Sequence, residues 1–310
     1  MKAFITGGLG QVGSHVAEML LNRGDSVLVL DNLATGREEH LLQQDMLEVR
    51  IGSIADKDLV NDLMTTFKPD VVIHTAASYK DPDDWFSDNM TNVVGGANII
   101  SASKALKVKR FIYFQTALCY GVKPEEQPIT LSHKKNPANS SYAISKTTTE
   151  DYLTISGLDY VTFRLANVIG PRNVSGPLPI FFDRLMQEKK CFVTPAKRDF
   201  VYVGDLAKAV LKAVDGVGRG AYHFSSGTDI AIKELYDAVV SAMALDNYPE
   251  PEVKPLSPDD APSILLDPSR TFEDFGAIEF TSLEDTVSEA VRYYKEHGVH
   301  GGYTHLKMEK

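Results

Sequence analysis

The sequence predicts an α/β fold built on a doubly wound parallel sheet, with a smaller C-terminal α+β lobe that binds substrate. Short apolar segments alternate with longer amphipathic ones along the first half of the chain, which is typical of parallel strands joined by crossover helices. Several of these segments are apolar throughout, as strands covered on both faces should be. A glycine-rich turn also joins the first strand to the first helix.

The glycine-rich turn spans Thr6–Gly13 and leads into an amphipathic helix, His15–Leu21. Gly7 lets the chain turn tightly off the strand, and Gly10 removes the Cβ atom that would block a pyrophosphate. Gly13 lets the new helix pack closely on the sheet. The N-terminus of that helix offers free N–H groups and a partial positive charge to phosphates. This arrangement predicts a Rossmann-type dinucleotide site.

An acidic residue follows the second strand at the position where such a site needs one. The strand Ser26–Leu30 ends in Asp31, eighteen residues after Gly13. That is close to the roughly 20-residue spacing at which a carboxylate meets the adenosine ribose hydroxyls of NAD. Asp31 would repel the 2′-phosphate of NADP, so NAD is favoured, with Arg37 as a counter-argument. The alternative is that Asp31 is a turn residue followed by Asn32.

The composition limits the classes of protein to which the chain can belong. The chain has 310 residues, of which 43% are hydrophobic and 24% charged, as in soluble globular proteins. Its net charge of −10 argues against nucleic acid or an anionic membrane as the main partner. Cys119 and Cys191 have no paired spacing, so neither a disulfide framework nor a metal site is expected. The first strand leaves no room for a signal peptide, which favours a cytoplasmic setting.

The remaining elements follow the same alternating pattern. We expect strands at 47–51, 71–73 and 111–114, helices at 57–67 and 89–106, a return to the main sheet at 206–214 and 221–224, and helices of the smaller lobe at 232–243 and 282–294. Ser53 or Asp56 would cap the helix that starts at residue 57. The small residues after His74 suit a backbone that lies under a flat ligand, and His74 itself is interpreted as a packed histidine.

A tyrosine and a lysine stand at a catalytic spacing on the next predicted helix. Tyr142 and Lys146 are four residues apart, so they lie on one helix face. Tyrosine is a poor base at its free pKa of about 10, but a nearby ammonium group stabilises the phenolate and lowers that pKa. This spacing is common by chance. It gains weight from the preceding dinucleotide turn and from the Thr116 hydroxyl at the carboxyl end of a strand.

The residues singled out so far resemble a known family, the extended short-chain dehydrogenases/reductases, and in particular its nucleotide-sugar epimerases and dehydratases. The likeness covers nearly the whole chain and looks closest to UDP-sugar 4-epimerases of bacterial surface-polysaccharide clusters. The matching segments are 6–13, 31–33, 92–95, 116, 142–146, 164–172, 198–203 and 266–270.

The resemblance implies roles for individual residues. Tyr142 would be the general base, Lys146 would hold the nicotinamide ribose and lower the tyrosine pKa, and Thr116 would hydrogen-bond the reacting sugar oxygen. Asn167 and Arg198 would contact the pyrophosphate of the nucleotide sugar, where bidentate guanidinium binding suits phosphate geometry. The alternative for these last two residues is solvated loop charge.

The resemblance also implies a cofactor site and a division of the chain. The NAD site would comprise Gly7, Gly10, Gln11, Val12, Asp31, Asn32, Ser53, Ile54, Ala76, Tyr142 and Lys146. An NAD-binding domain would cover residues 1–166, with 200–226 returning to it. A nucleotide-sugar lobe would cover 167–199 and 227–310, in which 176–186 closes over the base. Members of the family usually dimerise, so a homodimer is implied.

Departures from the family pattern favour some of the family's reactions over others. Many sugar-nucleotide dehydratases place an acidic pair after the strand-end threonine, and this chain has Ala117 and Leu118 there. An alanine cannot protonate a leaving hydroxyl, so elimination lacks its acid. The cysteine of some reducing 3,5-epimerases would fall at Leu118, and Cys119 is interpreted as a core residue.

A second departure concerns the diphosphate. C4-epimerases often carry an arginine just before the segment that starts here at Asp259, but this chain has Ser257 and Pro258. Lys254 or Arg172 would then be a substitute phosphate ligand.

The sequence therefore predicts NAD-dependent epimerisation at C4 of a nucleotide-linked hexose or hexuronate, with UDP favoured, through a 4-keto intermediate. The alternatives are a dehydratase or a 3,5-epimerase/reductase of the same fold, or a non-enzymatic regulator that senses NAD. A sensor would be expected to have lost Tyr142 or Lys146, and both are present.

Overall fold

The structure is a computed structural model that describes residues 1–138, 140–246, 248–256 and 260–299. Its strands are β1 (Lys2–Thr6), β2 (Ser26–Asp31), β3 (Leu47–Ile51), β4 (Val71–His74), β5 (Arg110–Thr116), β6 (Tyr160–Leu165), β7 (Asn167–Ile169), β8 (Phe192–Val193), β9 (Lys197–Arg198), β10 (Phe200–Tyr202), β11 (Gly220–Phe224), β12 (Ile230–Ala231) and β13 (Glu252–Val253). Its helices are α1 (Gln11–Asn22), α2 (Lys57–Phe67), α3 (Trp85–Asp88), α4 (Gly96–Ala105), α5 (Ser141–Ile155), α6 (Pro177–Met186), α7 (Val203–Val214), α8 (Ile232–Met243), α9 (Ser269–Phe275) and α10 (Leu283–His297). A π-helical segment, Asn89–Gly95, joins α3 to α4.

The centre of the molecule is a seven-stranded sheet in the order β11-β6-β5-β4-β1-β2-β3. All of its neighbouring strands run parallel. The chain builds outward from β1 to β3, then returns to the other side of β1 and builds outward again from β4. Ligands of such sheets bind at the carboxyl ends of the strands beside this switch point. The predicted doubly wound α/β fold is therefore confirmed.

Two hydrophobic layers cover the faces of this sheet. Helices α1 and α7 pack on one face, and α2, α4 and α5 contribute to the layer on the other. Phe4 and Ile5 are consecutive residues of β1 and are both fully buried, one in each layer. Alternate side chains of a strand point to opposite faces, so a strand covered on both sides must be apolar throughout.

A separate hydrophobic cluster lies in the C-terminal part of the chain. It joins α6, α8 and α10 through side chains such as Leu178, Leu235 and Val287, all fully buried. The helices expected at 232–243 and 282–294 lie here. The boundaries of the two lobes stay a prediction, and the end of the second lobe, 300–310, is outside the described residues.

Local sequence explains where several elements begin. Helix α1 starts at Gln11, earlier than expected, because Gly10 occupies the N-cap position with an extended backbone. Asp56, not Ser53, caps α2 by accepting hydrogen bonds from the backbone N–H groups of Asp58 and Leu59 at 3.1 and 3.0 Å. The expected helix 89–106 instead begins at α3 and passes through the π-helical segment. In the described part of the chain, no helix is long and apolar enough to cross a membrane.

Candidate functional site

The turn between β1 and α1 has no room for side chains on three of its glycines, Gly7, Gly8 and Gly13. Gly7 has a φ of +68°, and a Cβ atom there would lie 2.7 Å from the Cα atom of Ala76. A Cβ atom on Gly13 would lie 2.3 Å from the carbonyl oxygen of Gly7. On Gly10 the nearest atom would be 3.3 Å away, again the Gly7 oxygen. The turn is therefore least crowded at Gly10, and the missing side chain there leaves room for a ligand.

Polar groups at this turn fit the cofactor that the sequence predicts. Helix α1 has no side-chain cap and no acidic residue in its first turn, so its N-terminal N–H groups remain available to an anion. The Gln11 Nε2 atom is buried without a hydrogen-bond partner among the described residues, while its Oε1 atom accepts from Asn173 Nδ2 at 3.2 Å. A bound pyrophosphate would offer acceptors at this place.

Asp31 lies beside the same turn, at the end of β2. Its Oδ2 atom accepts from the Leu9 N–H at 2.9 Å and its Oδ1 atom from the Leu33 N–H at 2.8 Å. Burial raises the pKa of this carboxyl group, and the two backbone donors oppose that shift. Asp31 therefore ties the glycine turn to the end of β2.

The other predicted cofactor residues follow the neighbouring strands. Asn32 comes directly after β2, and Ser53 and Ile54 come after β3. Ala76 follows β4 and contacts Gly7, as described above. Val12 packs against the hydrophobic layer that contains α1. All these residues thus follow strands whose carboxyl ends share one edge of the sheet.

Two residues near this edge belong to the interior. His74 is 1% exposed and its Nδ1 atom lies 2.6 Å from Thr6 Oγ1. Burial, reinforced by Lys146, lowers the His74 pKa to about 3, so the imidazole is neutral. Cys119 is fully buried beside Tyr120, and burial raises the pKa of its thiol to about 12. Both interpretations as packed residues are confirmed.

Tyr142 and Lys146 lie on α5, whose N-cap Ser140 accepts a hydrogen bond from the Ala143 N–H at 3.3 Å. Tyr142 is half-buried and Lys146 is 2% exposed. The Lys146 Nζ atom lies 4.2 Å from the centre of the Tyr113 ring. Burial lowers the pKa of Lys146 to about 7, and the Glu150 carboxylate opposes that shift.

The protonation of Tyr142 differs from the expectation in this structure. Its pKa is raised well above the ordinary value of 10.0 because the phenol is desolvated, and Tyr79 and Asp88 add to the shift. Desolvation disfavours the phenolate whatever its later role. The free chain therefore keeps this phenol protonated at neutral pH, and the lysine alone does not lower its pKa.

Thr116 ends β5 and caps the short 3-10 turn Ala117–Tyr120. Its Oγ1 atom accepts from the Leu118 N–H at 3.1 Å. A hydroxyl that accepts one hydrogen bond can still donate another. Thr116 is therefore able to donate to a ligand at the carboxyl end of the sheet, where Ala117 and Leu118 offer no acidic side chain.

Arg198 is fixed rather than solvated. Its guanidinium forms an ion pair with Asp260 and donates from Nη1 to the carbonyl oxygen of Ala261 at 2.8 Å. Asn167 is exposed on β7, and its backbone N–H donates to the Asp199 carbonyl next to Arg198, at 2.9 Å. The two residues are therefore neighbours through these strands.

The two substitute phosphate ligands are already engaged. Arg172 donates to both carboxylate oxygens of Glu18, at 2.9 and 2.7 Å, and to Ser14 Oγ at 3.0 Å. The Lys254 Nζ atom lies 4.6 Å from the centre of the Phe192 ring. The departure at Ser257, Pro258 and Asp259 lies outside the described residues.

The structure also places Asp88, which the sequence analysis did not select, next to the predicted base. Asp88 is 1% exposed, and neither carboxylate oxygen has a hydrogen bond of ordinary geometry within the described chain. Burial raises its pKa, although the nearby Ser141 and Ser78 hydroxyls favour the ionised form. Asp88 lies at the junction of α3 and the π-helical segment, and π-helical turns are frequent at functional sites. No spacing in the sequence pointed to this contact.

Comparison with known proteins identifies what the chain is similar to. A model of the NAD dependent epimerase/dehydratase family matches residues 3–224. The UDP-glucose 4-epimerase of Mycolicibacterium smegmatis is 30% identical over 314 aligned positions, covering 95% of this chain and 99% of that protein.

Two solved structures that contain NAD are also similar to this chain. The Bordetella bronchiseptica enzyme WbmH, crystallised in complex with NAD⁺, is 68% identical with a TM-score of 0.95, and the match covers 96% of this chain and 99% of WbmH. WbmG of the same organism, in complex with NAD and UDP, is 39% identical with a TM-score of 0.90 and 99% coverage of both chains.

Proposed function

Since the chain belongs to the NAD dependent epimerase/dehydratase family, we propose that it inverts C4 of a UDP-linked hexose or hexuronate through a 4-keto intermediate. The observation that carries this proposal is that Lys146, one turn after Tyr142 on α5, lies against Tyr113 and acts on His74, near the carboxyl ends of the parallel strands, with Ala117 where an eliminating acid would stand. The likeness to a UDP-glucose 4-epimerase and to WbmG, crystallised with UDP, supports the choice of substrate class.

The cofactor is NAD, and membership of this family confirms that prediction. The residues present fit it, because the turn is least crowded at Gly10, the N-terminal N–H groups of α1 have no side-chain cap, and the Gln11 Nε2 atom has no hydrogen-bond partner in the described part of the chain. Asp31 would accept from the adenosine ribose hydroxyls. When bound, NAD supplies a hydride acceptor that returns the hydride to the sugar.

The side chains of this protein would move one proton and hold the sugar. Tyr142 is protonated in the free chain, so it would first lose that proton to solvent in the assembled complex. As the phenolate it would take the proton from the C4 hydroxyl and return it, while Thr116 would donate a hydrogen bond to the same oxygen. Lys146 would hold the nicotinamide ribose and supply positive charge next to the phenol. Asn167 and Arg198 would contact the diphosphate, with Arg198 held in place by Asp260.

The reaction alternatives need groups that the site does not offer. A 4,6-dehydration needs an acid for the leaving hydroxyl, and Ala117 supplies none. A reducing 3,5-epimerase would place its cysteine at Leu118, and Cys119 is buried with a raised pKa. Family membership favours an enzyme over an NAD-sensing regulator, since Tyr142 and Lys146 are both present.

A homodimer remains part of the proposal. Helices α3 and α5 pack on each other and expose large apolar side chains. Trp85 and Phe86 are 66% and 76% exposed, and Ile144 and Tyr152 are 47% and 46% exposed. A second copy of the chain would cover this surface. Light scattering coupled to size-exclusion chromatography tests the prediction.

Turnover of a defined substrate panel tests the proposed function. The purified protein with NAD would be incubated with UDP-glucose, UDP-N-acetylglucosamine and UDP-glucuronate, and the products identified by proton NMR. We expect the C4 epimer of at least one of these sugars and no net change in NADH absorbance. A 4-keto-6-deoxy product, or inversion at C3 or C5, would contradict the proposal.

A further inference from the structure

A buried polar network lies beneath the predicted base and centres on Glu150, one helical turn after Lys146. Glu150 is 2% exposed. Its Oε1 atom accepts from Arg164 Nε at 2.9 Å, and its Oε2 atom accepts from Gln115 Nε2 at 3.3 Å and from the ammonium of Lys135 at 3.5 Å. The Gln115 Oε1 atom accepts in turn from the backbone N–H of Thr116 at 2.8 Å. The network therefore joins α5, β6 and the end of β5.

The far side of the network is anchored to β11. Arg164 donates from Nη1 to the hydroxyl of Tyr120, whose oxygen lies 2.6 Å from His223 Nε2. The His223 Nδ1 atom lies 2.9 Å from the carbonyl oxygen of Asp267. Tyr120 and His223 are each 1% exposed. A carboxylate that is paired with a buried guanidinium and fixed by such a chain of contacts has little freedom to move.

Glu150 is the anion that acts on the Lys146 ammonium. The ring of Tyr113 faces the ammonium from β5, and the imidazole of His74 on β4 is neutral. Tyr142, on the same helix, has a raised pKa and is neutral as well. Of the ionisable groups in the described chain, only Glu150 raises the pKa of Lys146. The side chains four residues apart on a helix are neighbours, which places the carboxylate within reach of that charge.

We propose that Glu150 is a positioning residue of the active site, whose carboxylate, held by Arg164 and Gln115, keeps the buried Lys146 ammonium charged. The inference deepens the proposed function and rests on it, since Lys146 is part of that site. Without Glu150, no anion of the described chain acts on the ammonium, and the rings of Tyr113 and His74 beside it are neutral. Burial then favours the neutral amine.

The Lys146 pKa can be measured directly with and without Glu150. The full chain would be labelled with ¹³Cε-lysine and titrated by NMR, with the Lys146 signal assigned from a Lys146→Arg variant. An opposite charge within about 4–6 Å shifts a pKa by roughly 1–3 units. We therefore expect Glu150→Gln to lower the Lys146 pKa by at least about one unit. Asp205→Asn, which neutralises a buried carboxylate paired with Lys208 on α7, should leave it unchanged.

A second variant covers the case in which Glu150→Gln does not fold, because it leaves the buried guanidinium of Arg164 unpaired. Glu150→Met combined with Arg164→Met removes both charges at similar volume, and it should also lower the Lys146 pKa. A Lys146 pKa that stays within about 0.3 units of the parent value in the variant that folds overturns the inference.

NAD titrations separate this inference from the proposed function. Failure of the parent protein to bind NAD would overturn the proposed function, and with it the role given to Glu150 in that site. If the parent binds NAD and the Glu150 variant keeps the parent Lys146 pKa, only the inference fails. In the supporting outcome, NAD affinity at pH 8 falls about tenfold for each unit by which the Lys146 pKa is lowered, and the loss disappears below both pKa values.

Discussion

A pair of alanine substitutions in the glycine turn separates space kept for a ligand from space needed for the fold. Gly10 has a φ of −76°, which alanine adopts freely, and the added Cβ atom would be 3.3 Å from its nearest neighbour. Because that contact is tight and alanine is a poorer N-cap than glycine, Gly10→Ala should lower the free energy of unfolding by about 1 kcal/mol or less. The methyl group would instead occupy the space predicted for the pyrophosphate.

Gly13→Ala is the matched change, and its cost is expected to fall on folding rather than on ligand binding. Its Cβ atom would lie 2.3 Å from the carbonyl oxygen of Gly7 and 2.7 Å from the Cα atom of Gly8, so the backbone must shift. The Gly7 carbonyl also accepts from Thr75 Oγ1 at 3.0 Å, which resists that shift. Overpacking of this kind costs about 1–3 kcal/mol. Gly13→Ala should lower the melting temperature of the protein even without cofactor.

Thermal unfolding of the apo-protein and NAD titration by calorimetry measure the two effects separately. A clash worth about 1–3 kcal/mol in the complex weakens NAD binding by roughly 5- to 150-fold, and this is the result expected for Gly10→Ala. If Gly10→Ala bound NAD as tightly as the parent protein, the pyrophosphate would not lie against this turn, and the cofactor placement would be refuted.

Three further changes test single side chains. Tyr142→Phe should keep NAD bound but lose most turnover, because the ring still packs while the proton acceptor is gone; turnover at the parent rate would refute the assignment of the base. Asp31→Ala should weaken NAD binding and reduce the preference for NAD over NADP, both read from cofactor titrations, and an unchanged preference would count against its role. Burial raises the pKa of Asp88, so holding its ionised carboxylate in the folded protein costs free energy of folding. This cost is absent below the unfolded-state pKa, where the carboxyl group is protonated in both states, and complete above the folded-state pKa. Asp88→Asn should therefore raise the melting temperature at pH 7 by about 2 °C per kcal/mol removed but not at pH 3, and a lower melting temperature at pH 7 would contradict this.

The sequence predicted those features that depend on neighbours along the chain. The glycine turn, the strand ending in Asp31 and the Asp56 cap each depend on residues a few positions apart, so their geometry follows from local spacing. The family, the NAD cofactor and the parallel sheet predicted from these patterns are confirmed. The roles of the individual site residues stay predictions.

Spacing along the sequence could not predict contacts between distant segments of the chain. Arg198 pairs with Asp260, sixty-two residues later, so its neutralised state could not be deduced from a loop arginine. Asp88 stands next to Tyr142 only because α3 packs on α5. The raised pKa of Tyr142 likewise follows from burial, which a helical spacing does not reveal.

The fate of the C4 hydrogen tests the central claim most directly. Transfer of a hydride to the cofactor and back keeps that hydrogen inside the site, whereas 3,5-epimerisation and 4,6-dehydration pass through a carbanion that exchanges with water. A UDP-sugar labelled with tritium at C4, and the unlabelled sugar turned over in deuterated water, would be analysed by scintillation counting and mass spectrometry. The proposed mechanism predicts full retention of the C4 label and no deuterium on any carbon. Loss of the label to water, or deuterium at C3 or C5, would contradict it.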